Sequence, residues 1–512
     1  MTWEVAGRRG HVPEGPVVRG PWTTFEDFNL VAGWLLWSHR MASPFGDLTG
    51  NAFAAVARER GVALSETEIS RAEKGEARVT IGAIAKYEQL LQLPPGTLSA
   101  PLRSAARLAP RAAGADKLAQ LRSVPRAVAP RQLVVNDFYV RYVAGEQFTG
   151  GDWLMLADSI TYAETSLLPD ALAMQWIRQL LDECMRSVNA AYFPRVEALS
   201  IVAEHDHYAS YLLDAARDLT AAPGASGVID AWGIVGDIRS RQLIHKLLTD
   251  LPSVPDDRLY LYAAAFEMPG YRGDLAPHQL QDIARDLERR LPRWSLGSYE
   301  PIASIAAMLP DDLSASILRR IDQDVHPMSR LTGRRMNRTV QAEVDLYTGA
   351  AMAASWPGHP GGSVLPELLR LVLSSERFGL RHHAANLIYC SPFAAPICAA
   401  AAELCTSGAD PVTRQLATYL VSRLATPDND EELRLLLKRS ERIGLTINTL
   451  TGMAHAGLLT ELDDLKPFIR AKDTRQSGIY AAGITHHPDL YSEAADSAEA
   501  TWWRRARGGI WE

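Results

Sequence analysis

Chemistry needs side chains of the right type at fixed spacing, and this 512-residue sequence offers few such sets. Close histidines occur three times: His205 and His207 in "EHDH", His382–His383, and His486–His487. Residues one or two apart on a helix point to different faces, so none of these pairs can readily share a metal ion. The four cysteines, Cys184, Cys390, Cys398 and Cys405, show no C-x-x-C spacing. Cys398 and Cys405 are seven apart, fall on one helix face, and read as small core residues rather than a thiol sensor. There is no G-x-S-x-G, H-E-x-x-H, Walker A loop or G-x-G-x-x-G. The expectation is a protein that is not an enzyme and uses neither metal nor cofactor.

Two other stretches combine residues that suit binding. The C-terminal "ATWWRRARGGIWE" interleaves Trp502, Trp503 and Trp511 with Arg504, Arg505 and Arg507, a mix able to stack on bases or dock on a partner. The favoured reading is that the tryptophans cap the last apolar face of a helical array, which any such array needs. The second stretch, "ALSETEISRAEKGEARVTIGAIAKYEQLLQLPPGTL", starts at residue 63 and reads as helix, turn, helix. Ser65 and Glu68 form a capping box that starts a helix at Glu66. Ile69 and Ala72 form its inner face, Gly75 ends it, and Thr80 caps the next helix. "GNAFAAVARERG" just before is a helix stopped by Gly61.

The rest of the chain must position these residues, and its pattern is helical nearly throughout. Apolar residues recur every three or four positions in "PDALAMQWIRQLLDECM" and "FPRVEALSIVAEHDHYASYLLDAARDL", with Pro and Gly between segments. No run alternates as a strand would, so the fold class expected is all-α. With 47% hydrophobic and 22% charged residues the chain is of folded type. Its length implies more than one core. No stretch has 18 apolar residues without charge and no signal peptide opens the chain, so a cytoplasmic protein without membrane contact is expected. Aligning Arg381, Arg414, Ile447 and Arg475 gives a loose repeat of helix pairs. It resembles HEAT-type α-solenoid units from about 365 to 490, and more weakly from 150 to 365.

Charge divides the chain. Residues 1–132 hold 17 basic and 12 acidic side chains, and the remainder holds 36 against 48. Attraction to a polyanion is confined to the N-terminal quarter. It is strongest from 101 to 131, where seven basic residues meet one acid in a stretch broken by Pro110, Gly114, Pro125 and Pro130. Arg103 and Arg107, at i, i+4, would face one way and hold phosphate from a basic linker.

"VARERG" at 56–61, "SETEISRAEKG" at 65–75 and "IAKYEQLLQLPPGTL" at 84–98 resemble the Xre-type, lambda-repressor-like helix-turn-helix family. The similarity is greatest to actinobacterial members with a long helical C-terminal region. It implies a DNA-binding domain at 23–102, a basic linker at 103–149, an irregular helical-pair region at 150–365 and HEAT-like repeats with a cap at 366–512. On that resemblance Thr67, Ser70 and Arg71 face base edges, and Glu66 could accept from a cytosine amine. Lys74, Arg78, Arg103 and Arg107 hold phosphate. The sequence departs from the family in its longer turn "GVALS" and in lacking Gln at the second helix start. The expected function is transcriptional regulation through double-stranded DNA, with an effector, a protein or peptide, or a second subunit (a homodimer) bound by the solenoid. The alternative is a scaffold whose degenerate helix-turn-helix only dimerises. Cutting the chain near 125 is expected to leave both parts soluble.

Overall fold

The structure, a computed structural model, describes residues 28–76, 79–107, 131–161, 168–218, 247–254, 259–271, 275–291, 299–324, 334–355, 362–375, 378–407, 409, 411–494, 497–506 and 508–511. Among these residues every regular element is helical, apart from one isolated bridge between Ser187 and Ile510. No single described helix is long and apolar enough to cross a membrane.

Five helices come first: α1 (Phe28–Ala42), α2 (Gly50–Glu59), α3 (Glu66–Glu73), α4 (Ile81–Leu90) and α5 (Ser99–Arg107). Five follow in the next stretch: α6 (Arg131–Val143), α7 (Gly150–Ile160), α8 (Asp170–Arg186), α9 (Tyr192–Ala203) and α10 (Asp206–Asp218). Then come α11 (Leu259–Tyr271), α12 (Pro277–Arg290), α13 (Tyr299–Ala307), α14 (Asp311–Asp324) and α15 (Arg334–Ser355). The last ten are α16 (Val364–Ser374), α17 (Phe378–Tyr389), α18 (Ala394–Thr406), α19 (Pro411–Leu424), α20 (Asp430–Arg439), α21 (Ile443–His455), α22 (Lys466–Arg470), α23 (Arg475–Ile484), α24 (Asp489–Glu493) and α25 (Ala498–Ala506).

Their apolar faces build two main cores. One lies within residues 135–317. The other joins α1–α5 to the helices from α15 onward. Helix α1 shows why: twelve of its residues, including Trp34 and Trp37, are buried, so it is enclosed on nearly every side. One side takes α3 and another takes α16. Trp34 stacks on Phe393 with ring centroids 5.8 Å apart, and His39 donates from Nε2 to the Cys390 carbonyl. Helix α5 packs on α4, α9 and α17. The boundary expected at residue 103 therefore falls inside a helix, and α1–α5 do not stand apart from the rest.

The alignment of Arg381, Arg414, Ile447 and Arg475 lands on α17, α19, α21 and α23, and each of these helices packs on the next. On the other side α18 packs on α19 and α20. The series ends at α25, where fully buried Trp503 lies edge-on to Tyr480 and Trp502 touches both cores. The tail then returns to the end of α8. Ile510 donates to the Arg186 carbonyl at 2.9 Å and accepts from the Val188 N–H at 3.2 Å.

Three histidines in this half and its junction with α1 have pKa values below the ordinary 6.5. Burial is the main cause for His39, His382 and His455, and His455 falls to about 4. A depressed folded pKa means that the unfolded chain takes up the proton first. The stability supplied by the neutral rings is fully present above about pH 6.5 and lost as pH falls towards 4. For His455 the loss runs from about pH 6.5 down to about 4, and the buried His39 and His382 add to it in the same direction. Denaturant midpoints should drop through this window, and the drop should be shallower in His455→Gln. Parallel profiles for the two proteins would contradict the assignment.

Candidate nucleic-acid interface

The turn that joins α2 to α3 is built locally. Thr49 accepts from the Ala52 N–H at 3.3 Å and starts α2. Gly61, at φ +72°, supplies the left-handed residue that ends it. Ser65 accepts from the Glu68 N–H at 3.3 Å, and Glu68 accepts from the Ser65 N–H at 2.8 Å, closing the capping box. These bonds to Ser65 hold the Glu68 carboxyl below its usual range, with Lys86 a smaller influence at 3.8 Å.

Helix α3 is fixed against α1 by a buried polar clamp. Arg40 donates to Glu73 through Nε at 2.6 Å and through Nη2 at 2.7 Å, and the Tyr87 hydroxyl donates to Glu73 Oε1 at 2.8 Å. Arg40 is 1% exposed and Glu73 4%. Burial alone would push the Arg40 pKa down, but Glu73 more than offsets it and the value rises; burial and Glu73 together raise that of Tyr87. The helices also approach closely: a Cβ at Gly33 would lie 2.5 Å from the Ala72 carbonyl oxygen. Glu88 does similar work one element later, accepting from the backbone N–H groups of Gly96, Leu98 and Ser99 at the start of α5.

This packing sorts the residues of α3. Ile69, Ala72 and Glu73 are buried, while Glu66, Thr67, Glu68 and Arg71 are exposed and Ser70 and Lys74 are half-buried. Thr67, Ser70 and Arg71 share a face at i, i+3, i+4. Two carboxylates, Glu66 and Glu68, stand at the start of the helix, with Lys86 3.8 Å from Glu68, and half-buried Lys74 follows its end.

The other residues expected at the interface fare differently. Arg103 is not available to phosphate. It is 1% exposed and pairs with Asp158 at 3.0 Å and Glu197 at 3.0 Å, fastening α5 to α7 and α9. A buried guanidinium held by two carboxylates has no free charge to offer a polyanion. Arg107 is the last residue of α5, and its side chain lies outside the described residues, as does Arg78 altogether. Sequence reasoning missed Arg40, whose only signal was its place in an otherwise apolar helix. It quoted Glu73 within the motif without assigning it a role.

The histidine pairs do not form a common centre. His207 meets Asp170 at 2.9 Å, buried His382 accepts from Arg423, and His487 is buried beside Asp489. Among the described residues no group of three or more His, Cys, Asp or Glu is placed to hold a metal ion. All four cysteines are buried and unpaired with one another, and burial raises the thiol pKa of Cys390, Cys398 and Cys405. Compared with known proteins, the chain matches no protein-family model, no curated protein and no solved structure.

Proposed function

We propose that the protein is a double-stranded-DNA-binding transcriptional regulator of Xre type. Helix α3 reads bases, and the helical arrays beyond residue 150 bind an effector or a protein partner. One observation carries this reading: a short helix follows a tight turn and is clamped from behind by Arg40, Glu73 and Tyr87, so that Thr67, Ser70 and Arg71 point outward together. A rigid backing is what a reading helix requires, because base contacts tolerate little misplacement.

The test is a binding titration against the DNA upstream of the protein's own gene, repeated over a salt series. Arg71→Ala should cost about 1–3 kcal/mol at the preferred site and relax sequence preference there. Ser65→Ala should cost about 1 kcal/mol of stability through the lost cap, with sequence preference unchanged. Salt-dependent binding that is indifferent to Arg71 would refute α3 as the reader.

A scaffold reading draws on a different observation, the exposed Glu66 and Glu68 at the start of α3, which repel phosphate. It requires that no duplex be bound at any salt concentration, and that removing both carboxylates leave DNA affinity at zero.

A further inference from the structure

The row α17, α19, α21 and α23 gathers polar side chains that are half-buried rather than exposed: Asn386, Arg423, His455 and Tyr480. Arg423 donates from Nη2 to His382 Nδ1 and, at 3.4 Å, to Asn386 Oδ1. It makes no ion pair among the described residues, so its Nε and Nη1 have no carboxylate to meet. His455 Nε2 and the Tyr480 hydroxyl are 2.7 Å apart. Burial, helped by the charge of Arg423 itself, keeps His382 and His455 neutral at pH 7. A guanidinium thus sits among neutral groups in a partly desolvated place.

The surroundings come from three parts of the chain. Asn189, at φ +55°, reaches from the corner before α9 and donates to the His455 carbonyl at 2.5 Å. Trp503 of α25 stands edge-on to Tyr480, 5.9 Å between centroids. A partly buried cation without a counter-charge costs stability unless something else completes it.

We propose that Arg423 anchors a binding site for a single carboxylate, carried by a small organic acid or by the C-terminus of a short peptide. Guanidinium N–H groups match the two oxygens of a carboxylate in parallel, and charge-assisted bonds of this kind are the strong ones. The single cation favours a monoanion, because a phosphate dianion would keep an unmatched charge in a partly dry site. The site lies apart from α3 and does not depend on whether α3 binds DNA.

Thermal shift and calorimetry on the full chain test this with acetate, benzoate and N-acetylglycine at millimolar concentration, beside the matching amides and inorganic phosphate. At least one acid should raise Tm while its amide does not. A response to N-acetylglycine above the other two acids identifies the peptide terminus, and the reverse order a free acid. Arg423→Gln should weaken binding by about tenfold or more. Should that variant fail to fold, Arg423→Lys keeps the charge without the fork and should still bind about tenfold more weakly. Three results overturn the proposal: no acid binds, the variants bind acids as tightly as the unaltered protein, or phosphate binds more tightly than every acid.

Discussion

Replacing Glu73 with Ala should cost about 3–5 kcal/mol of folding stability, because it strands Arg40 as a buried cation without a counter-charge. The geometry makes the loss large. Arg40 is 1% exposed and its two bonds to Glu73 are 2.6 and 2.7 Å, so water cannot replace the carboxylate without opening the α1–α3 contact. Arg40→Met alone should be comparably damaging, since it leaves Glu73 facing only the Tyr87 hydroxyl. The double replacement Arg40→Met with Glu73→Leu removes both charges and should lie nearer the unaltered protein than either single change. Urea denaturation of the four proteins checks this. A Glu73→Ala cost under about 1 kcal/mol would show that the clamp is not what holds α3. If α3 reads DNA, the single variants should also lose affinity at temperatures where they remain mostly folded, because its tilt on α1 is no longer fixed.

The parts of this arrangement that depend on near neighbours were readable from the sequence, and the parts that depend on distant ones were not. Ser65 and Glu68 are three residues apart, and their reciprocal bonds follow from residue type alone. Ile69 and Ala72 turn inward because helical periodicity demands it. Apolar periodicity also marked the helices α17, α19, α21 and α23 themselves. Arg103 shows the limit. In a Pro-broken stretch with seven cations and one acid it looked solvated, yet its partners Asp158 and Glu197 lie far along the chain and are brought in by tertiary packing. Arg40 and Glu73 are 33 residues apart, and Arg423 and His382 are 41 apart. No local pattern links such pairs. The signal that could have flagged Arg40 is a charge within an otherwise apolar run, which must find a partner or remain outside the core.

Cutting the chain near residue 125 should leave an N-terminal fragment that does not fold alone, contrary to what the Pro-broken, basic stretch suggests. In α5 every residue from Pro101 to Ala106 is buried, and the partners that bury them include α9 and α17. A fragment ending near 125 keeps α5 but loses Asp158, Glu197 and both helices, so Arg103 faces water beside bare apolar surface. On α1 the same cut removes Phe393 from Trp34 and the Cys390 carbonyl from His39. A Trp side chain buries about 150–250 Å², so at about 25 cal/mol per Å² re-exposing Trp34 alone costs up to about 5 kcal/mol. That is as large as the whole stability of many small domains. The expected outcome is aggregation of residues 1–125 when made alone, and exposed apolar surface on residues 126–512. Made together in one cell, the two fragments should copurify as a complex at one-to-one ratio, because the interface that each lacks is supplied by the other. A monomeric, cooperatively melting 1–125 fragment would show instead that α1–α5 form a separate domain. In the intact chain, the helix that presents Thr67 and Arg71 rests on α1, and α1 rests in turn on α16 and Phe393. A ligand or partner that shifts those C-terminal elements therefore has a continuous packed route to the face of α3.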